Sequence, residues 1–131
     1  MKFNALIPEL SVSDIEKSKT FYLDVLGFKS EYERIESKFI FLSLGDAQIM
    51  LEQLNGYWQT DTMVHPFGRG INFQISVDDV EQLRENLINN GIALFQDVEE
   101  ASYREGNTFH KMKELLIQDP DGYLLRFSQS L

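Results

Sequence analysis

The stretch VSDIE at Val12–Glu16 returns in altered form as VDDVE at Val77–Glu81, an offset of 65 residues. An apolar run precedes each copy, from Leu6 to Val12 and from Ile71 to Val77, and a helical pattern follows each copy. Self-similarity at a fixed offset is typical of a repeated supersecondary unit. The sequence therefore predicts two copies of one unit inside a single domain. The expected bounds are about 1–56 and 68–131 within 1–131.

Both helices have a start signal and a stop signal. Ser13 or Asp14 would cap the first helix, and Asp78 or Asp79 the second, because short polar side chains accept hydrogen bonds from the first free backbone amides. The apolar stripes are Ile15, Tyr22, Val25 and Leu26, then Val80, Leu83, Leu87 and Ile88. Gly27 and Asn90-Gly91 suit the left-handed position that ends a helix.

The remaining segments have the alternation and the turn residues of strands. The predicted strands are Leu6–Val12, Phe28–Ile35, Phe39–Leu44, Ala47–Leu54, Ile71–Val77, Ala93–Glu99, Phe109–Gln118 and Tyr123–Ser130. Asp119-Pro120-Asp121-Gly122 predicts a tight hairpin turn between the last two. Two long loops are expected, at Asn55–Gly70 and Glu100–Thr108, and loops of this length often carry function.

Composition excludes several functional classes. The formal charge is −9, with ten acids and six bases in residues 1–65 and eleven and six in 66–131. Nucleic-acid binding needs clustered Lys and Arg, so no nucleic-acid partner is expected. Acidic residues spread over the whole chain are typical of an ordinary soluble surface, and they also favour a cationic ligand. Without Cys there is no disulfide or thiolate chemistry. With no signal peptide and no apolar run long enough for a bilayer, we expect a cytoplasmic protein without a membrane partner.

Several segments, in order, resemble the glyoxalase/bleomycin resistance/dioxygenase superfamily, also called the vicinal oxygen chelate superfamily. They are Val12–Ser18, Phe21-Tyr22, Leu26–Phe28, Gly45-Asp46, Met50–Glu52, Asp119–Tyr123 and Leu124–Phe127. The resemblance covers essentially the whole chain and is greatest to the bleomycin resistance branch. It implies an α+β fold in which two βαβββ units form a cup-shaped mixed sheet, and it implies a homodimer. In the enzymes of this superfamily, the cup holds a divalent metal bound by His and Glu.

The residues at the metal-ligand positions that the resemblance implies are unsuited to a metal. Ile7 cannot ligate, Asn72 is a weak neutral ligand, and the guanidinium of Arg126 has no lone pair to offer. Glu52 lies near the fourth position, with its register uncertain by one residue. We therefore expect no metal, no cofactor and no catalytic residue. A relocated site that uses His65, His110 or Glu114 is the alternative, although isolated histidines are more often surface residues.

A cup without metal points to non-catalytic binding and sequestration of a bleomycin-like antibiotic, cationic and partly aromatic. The alternatives are a metal-dependent lyase, isomerase or thiol transferase of the superfamily, and a sensor or structural dimer. An apolar concavity with a few polar anchors is what such a binder needs. The predicted ligand residues are Phe39, Phe41, Glu52, Tyr57, Trp58, Phe67, Asn72, Tyr103 and Arg126.

Several predicted ligand residues have a simpler interpretation, and Glu52 would equally be a solvated strand residue. Phe39 and Phe41 alternate on one strand and would equally suit the core. Trp58 would also suit an exposed loop without a ligand. Arg126 would recognise a carboxylate, or it would form a structural ion pair with Glu52.

Overall fold

The computed structural model describes all residues from Met1 to Leu131 and divides into two units. Unit 1 is Met1–Phe67 and unit 2 is Gly68–Leu131. Each unit has the element order βαβββ and one four-stranded mixed sheet. The predicted α+β class and the repeated unit are confirmed. Neither helix is long and apolar enough to cross a bilayer.

Unit 1 has the sheet order β1-β4-β3-β2, in which β1 runs parallel to β4 and the other pairs are antiparallel. Its elements are β1 (Glu9–Val12), α1 (Ile15–Lys19), a π-helical segment (Thr20–Val25), β2 (Lys29–Arg34), a 3₁₀ turn (Ile35–Ser37), β3 (Phe39–Leu44) and β4 (Ala47–Gln53). The parallel strand pair follows from the helical crossover between β1 and β2, because parallel strands cannot be joined by a tight turn.

Unit 2 repeats this topology with the order β5-β8-β7-β6, and β5 runs parallel to β8. Its elements are β5 (Asn72–Ser76), α2 (Val80–Asn89), β6 (Gln96–Glu105), β7 (Thr108–Gln118) and β8 (Leu124–Ser130). The turn from Asp119 to Gly122 joins β7 to β8, as predicted. Asp119 is buried, and its Oδ1 accepts hydrogen bonds from the backbone amides of Asp121 and Tyr123, each at 2.9 Å.

The first helix departs from the regular helix that the sequence predicts. Asp14 caps it through Oδ1, as expected, but after Lys19 the chain widens into the π-helical segment. The wider turn buries two successive aromatic residues, Phe21 and Tyr22, whose rings meet edge to face at 5.4 Å. Gly27 ends the segment with a φ of 81°, in the left-handed region expected of it.

Each sheet has two different faces, because side chains alternate along a strand. One face is apolar and buried, and the helix of the unit packs on its sheet. Its residues are Leu10, Val12, Ile40, Leu42, Ile49 and Leu51 in unit 1, and Ile75, Leu115, Ile117, Leu125 and Phe127 in unit 2. The opposite face, here called the mixed face, combines charged, polar and apolar side chains. The mixed face carries the candidate functional residues of both units.

The predicted loop at Glu100–Thr108 was wrong. Residues from Gln96 to Glu105 form β6, and a two-residue turn at Gly106-Asn107 leads directly into β7. Tyr103 therefore lies on a strand and not in a loop. The strand was missed because most of its side chains beyond Val98 are polar and exposed, so that the alternation disappears. The other predicted loop is real, since Asn55–Gly70 contains no helix or strand.

Candidate functional site

The mixed face of unit 1 has an open pocket of about 650 Å³. This volume is within the usual range for small-molecule sites. The pocket is lined by Glu9, Arg34, Glu36, Ser37, Lys38, Glu52, Gln53, Leu54, Asn55, Tyr57 and Trp58. Three of the predicted ligand residues, Glu52, Tyr57 and Trp58, thus lie around one cavity.

Glu52 is the acidic centre of the pocket. Its Oε1 accepts a hydrogen bond from Asn55 Nδ2 at 2.8 Å and another from Trp58 Nε1 at 3.2 Å. Both donors reach the same oxygen, so Oε2 takes neither bond. The chain can fold back over Glu52 because Gly56 adopts a φ of 87° and Asn55 Oδ1 accepts from the Tyr57 amide at 2.9 Å. The Asn55-Gly56 turn therefore positions both aromatic residues beside the carboxylate.

The rings of Tyr57 and Trp58 are exposed to solvent. Their exposed fractions are 80% and 65%, and their ring centroids lie 6.2 Å apart. Such rings provide large contact area at a small cost in rotamer entropy. The hydrogen bond from Trp58 to Glu52 restrains the indole at the pocket, so an aromatic or cationic group would find a ring and a carboxylate together.

Glu9 is a second carboxylate in the pocket, on the strand beside Glu52. The two strands pair in parallel, with Ser11 opposite Glu52. The pKa of the Glu9 carboxyl is raised, first by loss of solvent around it and then by the negative charge of Glu52. The positive charge of Arg34 opposes the rise. The pocket therefore holds two acids whose negative charges repel each other, which is an environment that attracts a cation.

The opposite side of the pocket is basic. The guanidinium carbon of Arg34 lies 3.9 Å from the centroid of the Phe39 ring, close enough for a cation–π contact. Lys38 ends the 3₁₀ turn in a left-handed conformation with φ 50° and ψ 51°, and it is the one residue other than glycine with positive φ. Neither cation forms an ion pair or a side-chain hydrogen bond within the chain.

Phe39 and Phe41 share the mixed face but are buried, with exposed fractions of 2% and 1%. Arg34 covers the Phe39 ring, and Phe41 stacks on Tyr32 at 5.3 Å and meets Phe3 edge to face at 5.4 Å. Neither ring lines the pocket, so the prediction that Phe39 and Phe41 contact a ligand there finds no support in their placement. Phe67, also predicted as a ligand residue, is buried as well, with 8% of its surface exposed.

The mixed face of unit 2 holds a closed polar cluster centred on Glu114, which is 4% exposed. Tyr103 Oη donates a short hydrogen bond to Glu114 Oε1, and Ser128 Oγ donates to Oε2 at 2.9 Å. Arg126 Nη1 lies 3.6 Å from Oε2, and Arg126 Nη2 donates to Gln74 Oε1 at 3.0 Å. Because the phenol donates to a carboxylate, the pKa of Tyr103 is raised, with burial adding to the effect and Arg126 opposing it.

The ion-pair partner of Arg126 is thus Glu114, whereas the sequence suggested Glu52. Register explains the contact, because Leu116 lies opposite Arg126 on the neighbouring strand and Glu114 precedes Leu116 by two residues on the same face. Asn72 is exposed at the start of β5, opposite Leu124.

The residues at the inferred ligand positions do not fit a metal ion. Ile7 offers only hydrocarbon, and Arg126 offers a cation already paired with Glu114. No group of three or more His, Asp or Glu side chains converges to hold a metal. Of the relocated candidates, His110 Nε2 lies 2.6 Å from Glu105 Oε1, Glu114 is held in the cluster, and His65 lies beside Pro66 in the long loop.

Comparison with known families agrees with this architecture. The family description of the Glyoxalase/Bleomycin resistance protein/Dioxygenase superfamily matches residues 4–127. The chain belongs to this superfamily. The resemblance inferred from the sequence motifs is therefore confirmed. No curated protein sequence matches this superfamily member.

Solved structures similar to this superfamily member cover nearly its whole length. A superfamily member from Vibrio splendidus 12B01 is 35% identical, with 94% of this chain and 95% of the other covered and a TM-score of 0.45. A virulence protein from Salmonella typhimurium is 24% identical over 100% of both chains, with a TM-score of 0.71. A protein from the mobile metagenome of V. pseudocholerae is 25% identical, with 98% and 96% covered and a TM-score of 0.69.

Proposed function

We propose that this superfamily member binds an amphipathic small molecule with a cationic, aromatic part and sequesters it without chemistry, in the manner of a bleomycin-binding protein. The observation that carries the proposal is the contact between Trp58 and Glu52 at the edge of the unit 1 pocket. An exposed indole restrained beside a carboxylate is suited to a flat cation, because the ring face and the negative charge both attract it.

Calorimetric titration with a bleomycin-type drug tests this proposal. We expect binding in the micromolar range or tighter. Trp58→Ala should weaken binding about fivefold, because a ring contact of this kind contributes on the order of 1 kcal/mol. Glu52→Gln keeps an oxygen for Asn55 and Trp58 to bond but removes the charge. It should weaken binding by up to about fivefold, as for an exposed ion pair.

Two further variants test general electrostatics and the indole N–H donor separately. Asp24→Asn removes one exposed negative charge on the π-helical segment, outside the pocket lining, and should leave affinity unchanged. Trp58→Phe keeps a ring but loses the Nε1 donor, so it should fall between wild type and Trp58→Ala. Absence of heat together with unchanged Trp58 fluorescence at millimolar drug would count against the proposal, since Trp58 is the only tryptophan.

Binding without chemistry requires no metal at the inferred ligand positions. Ile7 and Arg126 support this part of the proposal, because neither side chain can donate a lone pair to a cation. Elemental analysis of protein purified without chelator or metal-binding tag should give well below one transition metal per chain. One tightly held zinc or nickel per chain would instead favour a metal-dependent enzyme.

We further propose that the protein is a cytoplasmic homodimer. Exposed apolar side chains support an interface, among them Leu6 at 83%, Phe95 at 60% and Phe109 at 58% exposure. Each sheet also ends in a strand with a neighbour on one side only, β2 in unit 1 and β6 in unit 2, and such an edge is a template for pairing with another chain. A stable interface should bury more than about 1,000 Å². Light scattering should give twice the monomer mass, and a monomer throughout the micromolar range would contradict the dimer.

A further inference from the structure

The charges of the unit 1 pocket are separated into two sides. Glu9 and Glu52 lie on β1 and β4, which are neighbours in the sheet order β1-β4-β3-β2. Arg34 ends β2 at the far edge, and Lys38 precedes β3. All four residues line the same cavity. The pocket is therefore bipolar, with an acidic side and a basic side on one sheet face.

Strand register fixes the distance between the two sides. Glu52 lies opposite Phe39, and Phe39 lies opposite Arg34, so the three residues form one row across β4, β3 and β2. Neighbouring strands are about 4.8 Å apart, which places the Cα atoms of Glu52 and Arg34 roughly 10 Å from each other. Directly opposed residues point to the same face of the sheet. A molecule the size of one or two rings would reach from one charge to the other.

Arg34 is available for a ligand. Its guanidinium is oriented by the Phe39 ring at 3.9 Å and has no carboxylate within ion-pair distance. Planar guanidinium groups match the geometry of a carboxylate and bind it with two parallel hydrogen bonds.

Lys38 supplies a second unpaired cation from a strained backbone. A left-handed conformation is uncommon for a residue other than glycine and is strained. Residues strained in this way cluster at binding and active sites. Since Glu36 also lines this side, the local charge suits a single carboxylate better than a doubly charged phosphate.

We infer that the ligand of this pocket is an elongated zwitterion, with its ammonium group at Glu9 and Glu52, its carboxylate at Arg34 and Lys38, and a flat apolar spacer beside Trp58. This inference rests on the proposed function and makes it more specific, because a simple cation would leave Arg34 and Lys38 without a role. The aromatic spacer would contact Trp58 while Phe39 stays covered by Arg34.

Matched probes distinguish a zwitterion from a cation. Para-(aminomethyl)benzoate has both charges, its methyl ester has only the ammonium, and its N-acetyl derivative has only the carboxylate. Titrations monitored by Trp58 fluorescence should show the zwitterion binding at least about threefold tighter than either derivative, as expected for one added exposed ion pair.

Variants assign each preference to one side of the pocket. Arg34→Met keeps contact with Phe39 but loses the charge, so the preference for the zwitterion over the ester should fall most in this variant. Lys38→Asn should reduce the same preference, because Asn tolerates the left-handed conformation. Glu52→Gln should reduce only the preference over the N-acetyl derivative, because Glu9 remains on the acidic side. Lys17→Gln, on α1 and outside the pocket lining, is the matched control and should change neither ratio.

The possible results separate the two proposals. Equal affinity for the zwitterion and its ester, with Arg34→Met behaving as wild type, overturns the zwitterion inference and leaves a cationic ligand in place. Failure of para-(aminomethyl)benzoate to bind at tens of millimolar, when a bleomycin-type drug binds, overturns it as well. If neither the probe nor the drug binds, the proposed function fails and the zwitterion inference fails with it.

Discussion

The mixed faces of the two units belong to sheets of the same topology, but they differ in whether their charged side chains form ion pairs. In unit 1, Arg34 has no ion-pair partner, and Glu52 accepts hydrogen bonds only from the neutral donors of Asn55 and Trp58. In unit 2, Glu114 and Arg126 form an ion pair and are also held by Tyr103, Gln74 and Ser128. Unit 1 leaves charges for a ligand, whereas unit 2 uses them internally.

The difference shows that the repeated fold positions a face but does not decide its role. β4 and β8 are equivalent strands, and each carries a charged residue on its mixed face, Glu52 and Arg126 respectively. Their roles are set by neighbours on adjacent strands, which differ between the repeats. Function therefore resides in the side chains that a fold presents and not in the fold itself.

The largest effect should come from removing the centre of the closed cluster. Glu114→Ala removes the acceptor of Tyr103 and Ser128 and the counter-charge of Arg126. Because Glu114 and Ser128 are buried, we expect a loss of about 2–4 kcal/mol in the free energy of unfolding. The equivalent truncation in the pocket, Glu52→Ala, should change it by less than about 1 kcal/mol, because its partners are exposed. Urea denaturation measures both values.

A matched variant identifies the source of the loss. Glu114→Gln keeps the shape of the side chain and one acceptor oxygen but removes the charge opposite Arg126, so its cost should fall below that of alanine. Similar costs for Glu52→Ala and Glu114→Ala would mean that the two faces do not differ in the way described.

A smaller effect should arise from Glu9 in the open pocket. The pKa of Glu9 in the folded protein is raised above the ordinary value of 4.5. Protonated Glu9 therefore stabilises the folded state, and this stabilisation is complete below pH 4.5. It is lost as the pH rises through the higher folded-state pKa. Charged Glu9 thus destabilises the neutral-pH protein. Glu9→Gln should unfold at a slightly higher urea concentration than wild type at neutral pH, and the gain should vanish in acid.

The gain from Glu9→Gln depends partly on Glu52. In a Glu52→Gln background the gain should shrink, because one of the two causes of the raised pKa has been removed. A loss of stability in Glu9→Gln at neutral pH would instead indicate that attraction to Arg34 outweighs the other two contributions.

The smallest effect is spectroscopic and belongs to the closed cluster. The pKa of Tyr103 is raised above its ordinary value of 10.0, so its contribution to stability is complete below 10.0 and is lost as the pH rises through the folded-state value. The ultraviolet titration curve of wild type minus that of Tyr103→Phe should correspond to one tyrosine that ionises late. The late amplitude should be unchanged in Tyr57→Phe, and an unchanged late amplitude in Tyr103→Phe would contradict the assignment.

Most of the fold could be predicted because its signals are local. The Asp14 cap, the left-handed Gly27 and the Asp119–Gly122 turn depend on residues that lie within a few positions of one another. The β6–β7 hairpin was missed because its strand is polar and exposed, although the Gly106-Asn107 pair is itself a hairpin signal.

The candidate site was predicted only in part. Glu52, Tyr57 and Trp58 stood out by type and by position in or beside a long loop. Glu9, Arg34 and Lys38 did not, because a charged residue on a strand normally belongs to a solvated face. Their convergence needs the register of four strands, which a single sequence does not specify.

The sequence by itself determined the repeated unit, the superfamily and the absence of lone-pair donors at Ile7 and Arg126, since these follow from residue type and short spacing. Only the tertiary structure decided which charges are paired. Glu114 meets Arg126 across a strand pair, and Arg34 lies on Phe39 without forming an ion pair. Such contacts depend on strand register, and a shift of one residue would turn each side chain to the opposite face of its sheet.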